Sequence, residues 1–168
     1  FLDDIRIQLN PFIEFNQAAN SGIESVASNN VPALLIDGTL YSSITVNVTI
    51  TGGSATRGVD YTTPNGNATF TVTIPAGTYA RTTVPLGITI IDDALIEGSE
   101  TITMSLGAGT GYTLSGSASC GATATTAATY TITDNDSAIT FSKSWVVGRT
   151  GDAVNLAITG ATTATAGN

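Results

Sequence analysis

Alternation with a period of two residues runs through the middle of this chain and constrains its fold more than any other feature. Ser43 to Thr51 reads S-I-T-V-N-V-T-I-T, with Ile44, Val46, Val48 and Ile50 on one face and Thr or Asn on the other. Phe70, Val72 and Ile74 repeat the pattern, followed by Val84, Leu86, Ile88 and Ile90 within Thr82 to Ile90. Ile102, Met104 and Leu106 form a fourth run, and Tyr130 and Ile132 a fifth. Successive side chains of a strand point to opposite faces, so each run has one face for a core and one for water. Antiparallel sheets packed on one side have this requirement. Turn residues separate the runs at Gly52-Gly53, Pro64-Asn65-Gly66, Pro75-Ala76-Gly77 and Gly107 to Gly111. Pro85 cannot donate to a ladder and marks an edge or a bulge. The expected fold is all-β, an antiparallel sandwich of two sheets.

The chain has 168 residues, enough for one sandwich of ordinary size and a piece of something else. The central domain is expected over 11–137. Residues 1–10 contain F-L-D-D-I-R-I-Q-L, a strand-like piece before Pro11, and read as the last strand of a preceding module or as an exchanged strand. Residues 138–168 begin again with apolar pieces around Ile139, Trp145 and Val154. Those are too few strands to bury a face alone, so they read as the opening of a following immunoglobulin-like module or as inter-subunit strands. Ser115 to Ala128 is small, polar and aperiodic, and is expected to be a long surface loop.

Charge and residue types narrow the function. The formal net charge is −8, which repels phosphate backbones and argues against nucleic acid as a partner. No run of some twenty apolar residues is present, so membrane insertion is not expected. The chain contains no His, which removes the commonest general base, the Ser-His and Cys-His nucleophiles and ordinary zinc sites. An enzyme is not expected. Cys120 is the single cysteine, so no internal disulfide is available. A secreted sandwich without disulfides needs another brace, and metal ions are the usual one.

The acids suggest which metal. Of thirteen, eight sit at turn positions beside strand ends: Glu24, Asp60, Asp92, Asp93, Glu97, Glu100, Asp134 and Asp136. Alternate turns of a sandwich emerge at the same end, so acids scattered in sequence can converge in space. Two carboxylates about 5 Å apart repel by roughly 3 kcal/mol at an effective dielectric near 20. Five basic residues cannot neutralise them all. A hard cation that accepts six to eight oxygens can, and Ca²⁺ suits an irregular oxygen set better than Mg²⁺ or softer metals.

From Phe12 to Asp136 the sequence resembles the Calx-β domain. Thr51 to Thr62 (T-G-G-S-A-T-R-G-V-D-Y-T) is similar to the family's small-residue stretch ending in Asp-Tyr. Phe70 to Val84 resembles its strand, turn and strand, and Ile90 to Glu100 (I-I-D-D-A-L-I-E-G-S-E) its most recognisable segment. Tyr130 to Asp136 (Y-T-I-T-D-N-D) is similar to its closing strand and acidic tail, and Ile23-Glu24-Ser25 fits the early glutamate. The resemblance implies a seven-stranded immunoglobulin-like sandwich with Ca²⁺ at one end. The implied ligands are Glu24, Asp60, Asp92, Asp93, Glu97, Asp134 and Asp136, with Glu100 beside them. Asn135 stands where calcium-rich members often carry a third Asp.

The function expected from this reading is an extracellular structural or adhesive module of a surface protein, a spacer made rigid by calcium. Its partners are neighbouring modules of the same chain or other copies of itself, with host or matrix glycans reached through other domains. One alternative is a subunit of an extracellular fibre assembled by strand exchange. Another is a calcium-dependent carbohydrate-binding module, disfavoured by the scarcity of aromatic residues.

Overall fold

The computed structural model describes residues 10–25, 30–116 and 122–137. The flanking segments 1–9 and 138–168 assigned to other modules, and the middle of the loop expected from Ser115, lie outside the described residues.

The described chain is all-β, with no helix. In order the strands are β1 (Phe12–Phe15), β2 (Ala19–Ile23), β3 (Leu34–Leu40), β4 (Ile44–Gly52), β5 (Tyr61–Thr62), β6 (Thr69–Ile74), β7 (Gly77–Val84), β8 (Thr89–Ile90), β9 (Glu100–Leu106), β10 (Thr113–Leu114) and β11 (Ala127–Thr133). One sheet has the order β10-β1-β3-β7 and the other β2-β11-β9-β4-β6, while β5 and β8 form a short ribbon. The two sheets meet on a single core. Ile13, Phe15, Leu34 and Ile36 come from the first sheet, and Val46, Val48, Phe70, Ile74, Ile102, Met104 and Tyr130 from the second.

The alternating runs form strands with the expected faces. Ile44, Val46 and Val48 are buried between exposed neighbours, as are Phe70, Val72 and Ile74. The run from Thr82 to Ile90 is not one strand. β7 is the outer strand of its sheet and stops at Val84, immediately before Pro85. Gly87 then turns the chain at a φ of 77°, and only Thr89–Ile90 pairs again. Leu86, Ile88 and Ile90 keep their burial because alternation survives in extended chain without a ladder. Pro85 therefore marks an edge, as its missing N–H requires.

The strand count differs from the seven implied by the resemblance. The chain crosses between sheets at residues 16–18, so β1 pairs antiparallel with β3 while β2 pairs parallel with β11. β10 adds a two-residue edge beside β1. The loop expected over Ser115 to Ala128 is also shorter on its far side. Thr125 O accepts from Phe15 N at 2.7 Å, Thr126 O accepts from Leu106 N at 2.9 Å, and β11 begins at Ala127. Small side chains here signal close packing rather than looseness, and Ala128 is buried.

Register places the acids. In β11 Ile132 faces Glu100 of β9, and Thr133 faces Ile23 of β2. β2 and β11 run parallel, so Glu24 and Asp134 leave the sheet at the same end. β9 and β4 are antiparallel neighbours, so the turn after β4 emerges there too.

Candidate metal centre

Three chain segments frame this end of the sandwich. The first follows β4. Ser54 and Thr101 hold each other reciprocally: Thr101 N donates to Ser54 Oγ at 2.9 Å and Ser54 N donates to Thr101 Oγ1 at 3.2 Å. Ala55 N adds a bond to Thr101 O at 3.0 Å. Gly53 permits this approach, because a Cβ there would lie 2.0 Å from Thr101 O. The tight turn that follows is closed by Asp60, whose Oδ2 accepts from Thr56 N and whose N donates to Thr56 O at 2.9 Å. Asp60 is buried next to the start of β9, which carries Glu100.

The second segment is 91–99. Ile91 N donates to Asp60 O at 2.9 Å, extending the β5–β8 ribbon by one step and bringing Asp92 and Asp93 beside Asp60. Asp93 Oδ1 accepts from Leu95 N at 2.7 Å, which turns the loop back. The third segment is the tail of β11. Asp134 Oδ2 accepts from Glu97 N at 2.6 Å, while its Oδ1 accepts from Asp136 N at 2.6 Å. Glu24 N donates to Thr133 O at 3.0 Å, seating Glu24 beside this tail.

Two carboxylate groups result. Glu24, Asp134 and Asp136 offer oxygens within 4.8 Å of one another, and so do Asp60, Glu97 and Glu100. The groups adjoin, since Glu97 is bonded to Asp134 and feels the charges of Asp60, Asp93 and Asp134. Asp92 acts on Asp136 in the first group, while Asp93 acts on Glu24 and Asp136 in the first and on Glu97 in the second. All eight acids singled out from sequence therefore share one end.

Their titration records the crowding. Burial raises Glu24, helped by the charges of Asp134 and Asp93 and opposed by the backbone N–H of Asn135. Burial and then the shared proton and charge of Asp60 push Glu100 up to about 7. Asp136 is raised by burial, then by Asp134, Asp92 and Asp93. Asp134 moves the other way, held down by the N–H groups of Asp136 and Glu97 that it accepts. The acids that rise are raised by burial and by one another, without relief from a basic side chain. A bound cation would reverse these costs.

One observation tests whether a hard cation fits. Oδ2 of Asp136 is buried without a hydrogen-bond partner, an expensive condition for a carboxylate oxygen. The Asn135 amide beside it donates to Glu24 Oε1 at 3.0 Å and to Asp92 Oδ1 at 3.2 Å. A buried carboxylate oxygen without a donor, set among other acids, suits Ca²⁺, and the ligand set contains no sulfur or imidazole. The residues fit the ion. Glu24, Asp134 and Asp136 would form one part of its site, with Asp92 beside them, and Asp60, Glu97 and Glu100 another, with Asp93 reaching both. Sequence reasoning noted Asn135 only as a missing charge; its amide geometry becomes visible only once Glu24 and Asp92 are placed on either side of it.

Comparison with known proteins agrees with this architecture. No curated protein matches the chain. Among solved structures, the apo-form Calx CBD1 domain is similar with a TM-score of 0.52 and 18% identity, covering 76% of this chain and 100% of that one. The CBD12 structure from CALX1.2 gives 0.53 and 20% over 77% of this chain and 48% of its own. The calcium binding domain CBD12 of CALX1.1 gives 0.51 and 18% over 76% and 45%. At such identities the likeness establishes the fold, an immunoglobulin-like sandwich. The family match is more specific and spans residues 7–136, from ahead of β1 to the last acid of the site. The chain belongs to the Calx-beta domain family.

Proposed function

We propose that this chain is a calcium-binding structural module, a spacer of an extracellular multi-domain surface protein whose rigidity depends on the ion. The observation that carries the reading is Asp136 Oδ2, buried without a partner among acids from three segments. Without a cation these segments repel. Calcium would supply the positive charge and oxygen coordination that the chain lacks. Asp60, Glu97 and Glu100 would then hold the turn after β4 against the start of β9. Glu24, Asp134 and Asp136 would hold the end of β2 against the tail of β11. That tail leads directly into the next segment, so the same contacts would stiffen a junction between modules. A site with Kd of about 10 μM in millimolar calcium gains roughly 2.7 kcal/mol, comparable to a disulfide.

In this reading the chain is not catalytic, binds neither nucleic acid nor membrane, works at the cell surface, and has adjacent modules or other copies as partners. Strand exchange into a fibre is the second reading. It is favoured by the outer edges of β7 and β6, which have no partner strand among the described residues. The sugar-binding reading gains no support from the cleft of about 380 Å³ at Asn16, Gln17, Pro85 and Leu86, whose lining includes no aromatic ring.

The test is a thermal melt of the whole chain with excess calcium and after chelation, alongside Asp92→Asn/Asp93→Asn. A fall of about ten degrees on chelation, absent in the double variant, supports the brace. Identical melts reject it and leave strand exchange as the leading idea.

A further inference from the structure

Among the described residues each main sheet ends on two strands, β10 and β7 in one, β2 and β6 in the other. A free edge offers backbone N–H and C=O groups to any extended chain, and folded proteins blunt it with bulges, charges, prolines or short strands. β10 has only two residues. β2 carries Gly22 and runs into the acids at Glu24, and Asn30 lies against it, its O accepting from Asn20 Nδ2 at 2.9 Å. β7 is bulged: Ala80 and Arg81 together oppose Asp37 alone, Arg81 has a φ of 51°, and Pro85 follows the last residue. β6 has none of these features. Thr69–Ile74 contains no charge, Gly or Pro, and its ladder to β4 is unbroken from Thr69 opposite Thr49 to Ile74 opposite Ile44.

The direction of the β6 backbone groups follows from that ladder. Ile50 N donates to Ala68 O at 2.8 Å, and bonded pairs alternate in an antiparallel ladder, so Phe70, Val72 and Ile74 turn their N–H and C=O groups to β4. Those of Thr69, Thr71 and Thr73 point away from the sheet. Asn65 Nδ2 donates to Thr69 O at 3.2 Å, in agreement with this direction. The backbone groups of Thr71 and Thr73 have no partner among the described residues. We propose that the free edge of β6 docks a second copy of this chain through the same strand, joining two sandwiches side by side in one continuous sheet. With the strands antiparallel about a two-fold at Val72, Thr71 faces Thr73 of the second copy and every outward group of both is paired. This register keeps Thr on the exposed face and Val72 on the buried one. No charge lies along the junction, because Asn47 and Thr45 stand beside Thr71 and Thr73 on β4. β4 runs toward the acidic end and β6 away from it, so the two acidic ends point in opposite directions. That limits repulsion between two chains of net charge −8. Each edge is consumed by the other, so assembly closes at two. A single edge is small beside the roughly 1,200 Å² of a stable interface, so pairing is weak and suits copies crowded side by side. It goes beyond the calcium reading and does not depend on it.

The experiment is sedimentation equilibrium of the whole chain from about 10 μM to about 1 mM, with amide hydrogen exchange at both concentrations. A dimer should form as concentration rises, and the Thr71 and Thr73 amides should pass from fast to slow exchange. The Phe70 and Val72 amides, bonded to β4, should be slow throughout. Thr71→Lys puts like charges at diagonal positions across the two-fold and should weaken the dimer about tenfold or more, while the dilute chain melts as wild type does. Asn47→Lys adds the same charge one strand inward and should change the dimer by no more than about twofold. A chain still monomeric at about 1 mM overturns the proposal, as does a dimer that survives Thr71→Lys or is lost equally in both variants. Growth beyond two copies also overturns it, and would mean strand exchange through another segment. None of these outcomes touches the calcium reading.

Discussion

Glu97 N–H donates to Asp134 Oδ2 at 2.6 Å, and this bond joins two segments separated by 37 positions at the acidic end of the sandwich. After the Asp136 N–H, which contributes more, it holds the pKa of Asp134 down among acids that are raised. One carboxylate is satisfied by backbone donors, and the burden of repulsion falls on Glu24, Glu97, Glu100 and Asp136.

Asp136 should therefore change sign with calcium. Asp136→Asn removes a buried oxygen without a partner and relieves its repulsion with Asp134, Asp92 and Asp93. The variant should melt a few degrees higher than wild type in calcium-free buffer and several degrees lower in excess calcium. Paired melts check the crossing, and a variant that is less stable in both buffers contradicts it.

The pH dependence in calcium-free buffer should run opposite to ordinary acid denaturation. Glu100 is raised from 4.5 to about 7, and Glu24 is raised as well. The folded chain thus binds these protons more tightly than the unfolded chain does. Their contribution is complete below the unfolded value and is lost as pH rises through about 7. The melting temperature should rise by a few degrees from pH 8 to pH 5. Asp134, with its lowered pKa, removes stability only at still lower pH. Saturating calcium should reverse the slope above pH 5, because protons then compete with the ion.

Gly22 and Tyr130 should be strongly coupled. A Cβ on Gly22 would lie 2.1 Å from the Tyr130 hydroxyl oxygen, and Tyr130 is 1% exposed. Gly22→Ala should cost about 1–3 kcal/mol in urea unfolding. Tyr130→Phe removes the clashing atom and leaves the next contact at 3.3 Å. The double variant should regain most of the loss, which a double-mutant cycle measures directly.

Ser54→Ala should loosen the turn that carries Asp60. It removes the acceptor for Thr101 N and costs about 1 kcal/mol. Calcium affinity should also fall a few-fold, because Asp60 then has less fixed geometry beside Glu100. Calorimetry beside urea unfolding separates the two effects.

The parts of the fold written in alternation were legible in sequence. Val46, Val48, Phe70, Ile74, Ile102, Met104 and Tyr130 all lie in the core that their spacing assigned them. β3 escaped because Leu34, Leu35 and Ile36 are all buried and show no polar phase to read, and β1 because it is only four residues long and buries its polar Glu14 as well. The break after Val84 was hidden because burial continues to alternate where hydrogen bonding stops. The eight acids were legible as a set from their position at turns, and the structure brings them to one end. Their division into two groups was not, since it follows from the register of Glu100 on Ile132 and the exit of Glu24 beside Asp134. The seating of Asn135 depends on the same placement, which no local pattern encodes.

The most direct test of a calcium site built from these acids is a count of bound ions by equilibrium dialysis of the intact chain at physiological ionic strength. The account predicts saturable uptake of at least one ion per chain below about 1 mM, the range of extracellular modules. Asp134→Asn combined with Asp60→Asn should remove it. Uptake that grows without saturation and is unchanged in that double variant would mean only a diffuse counterion cloud, and would contradict the account.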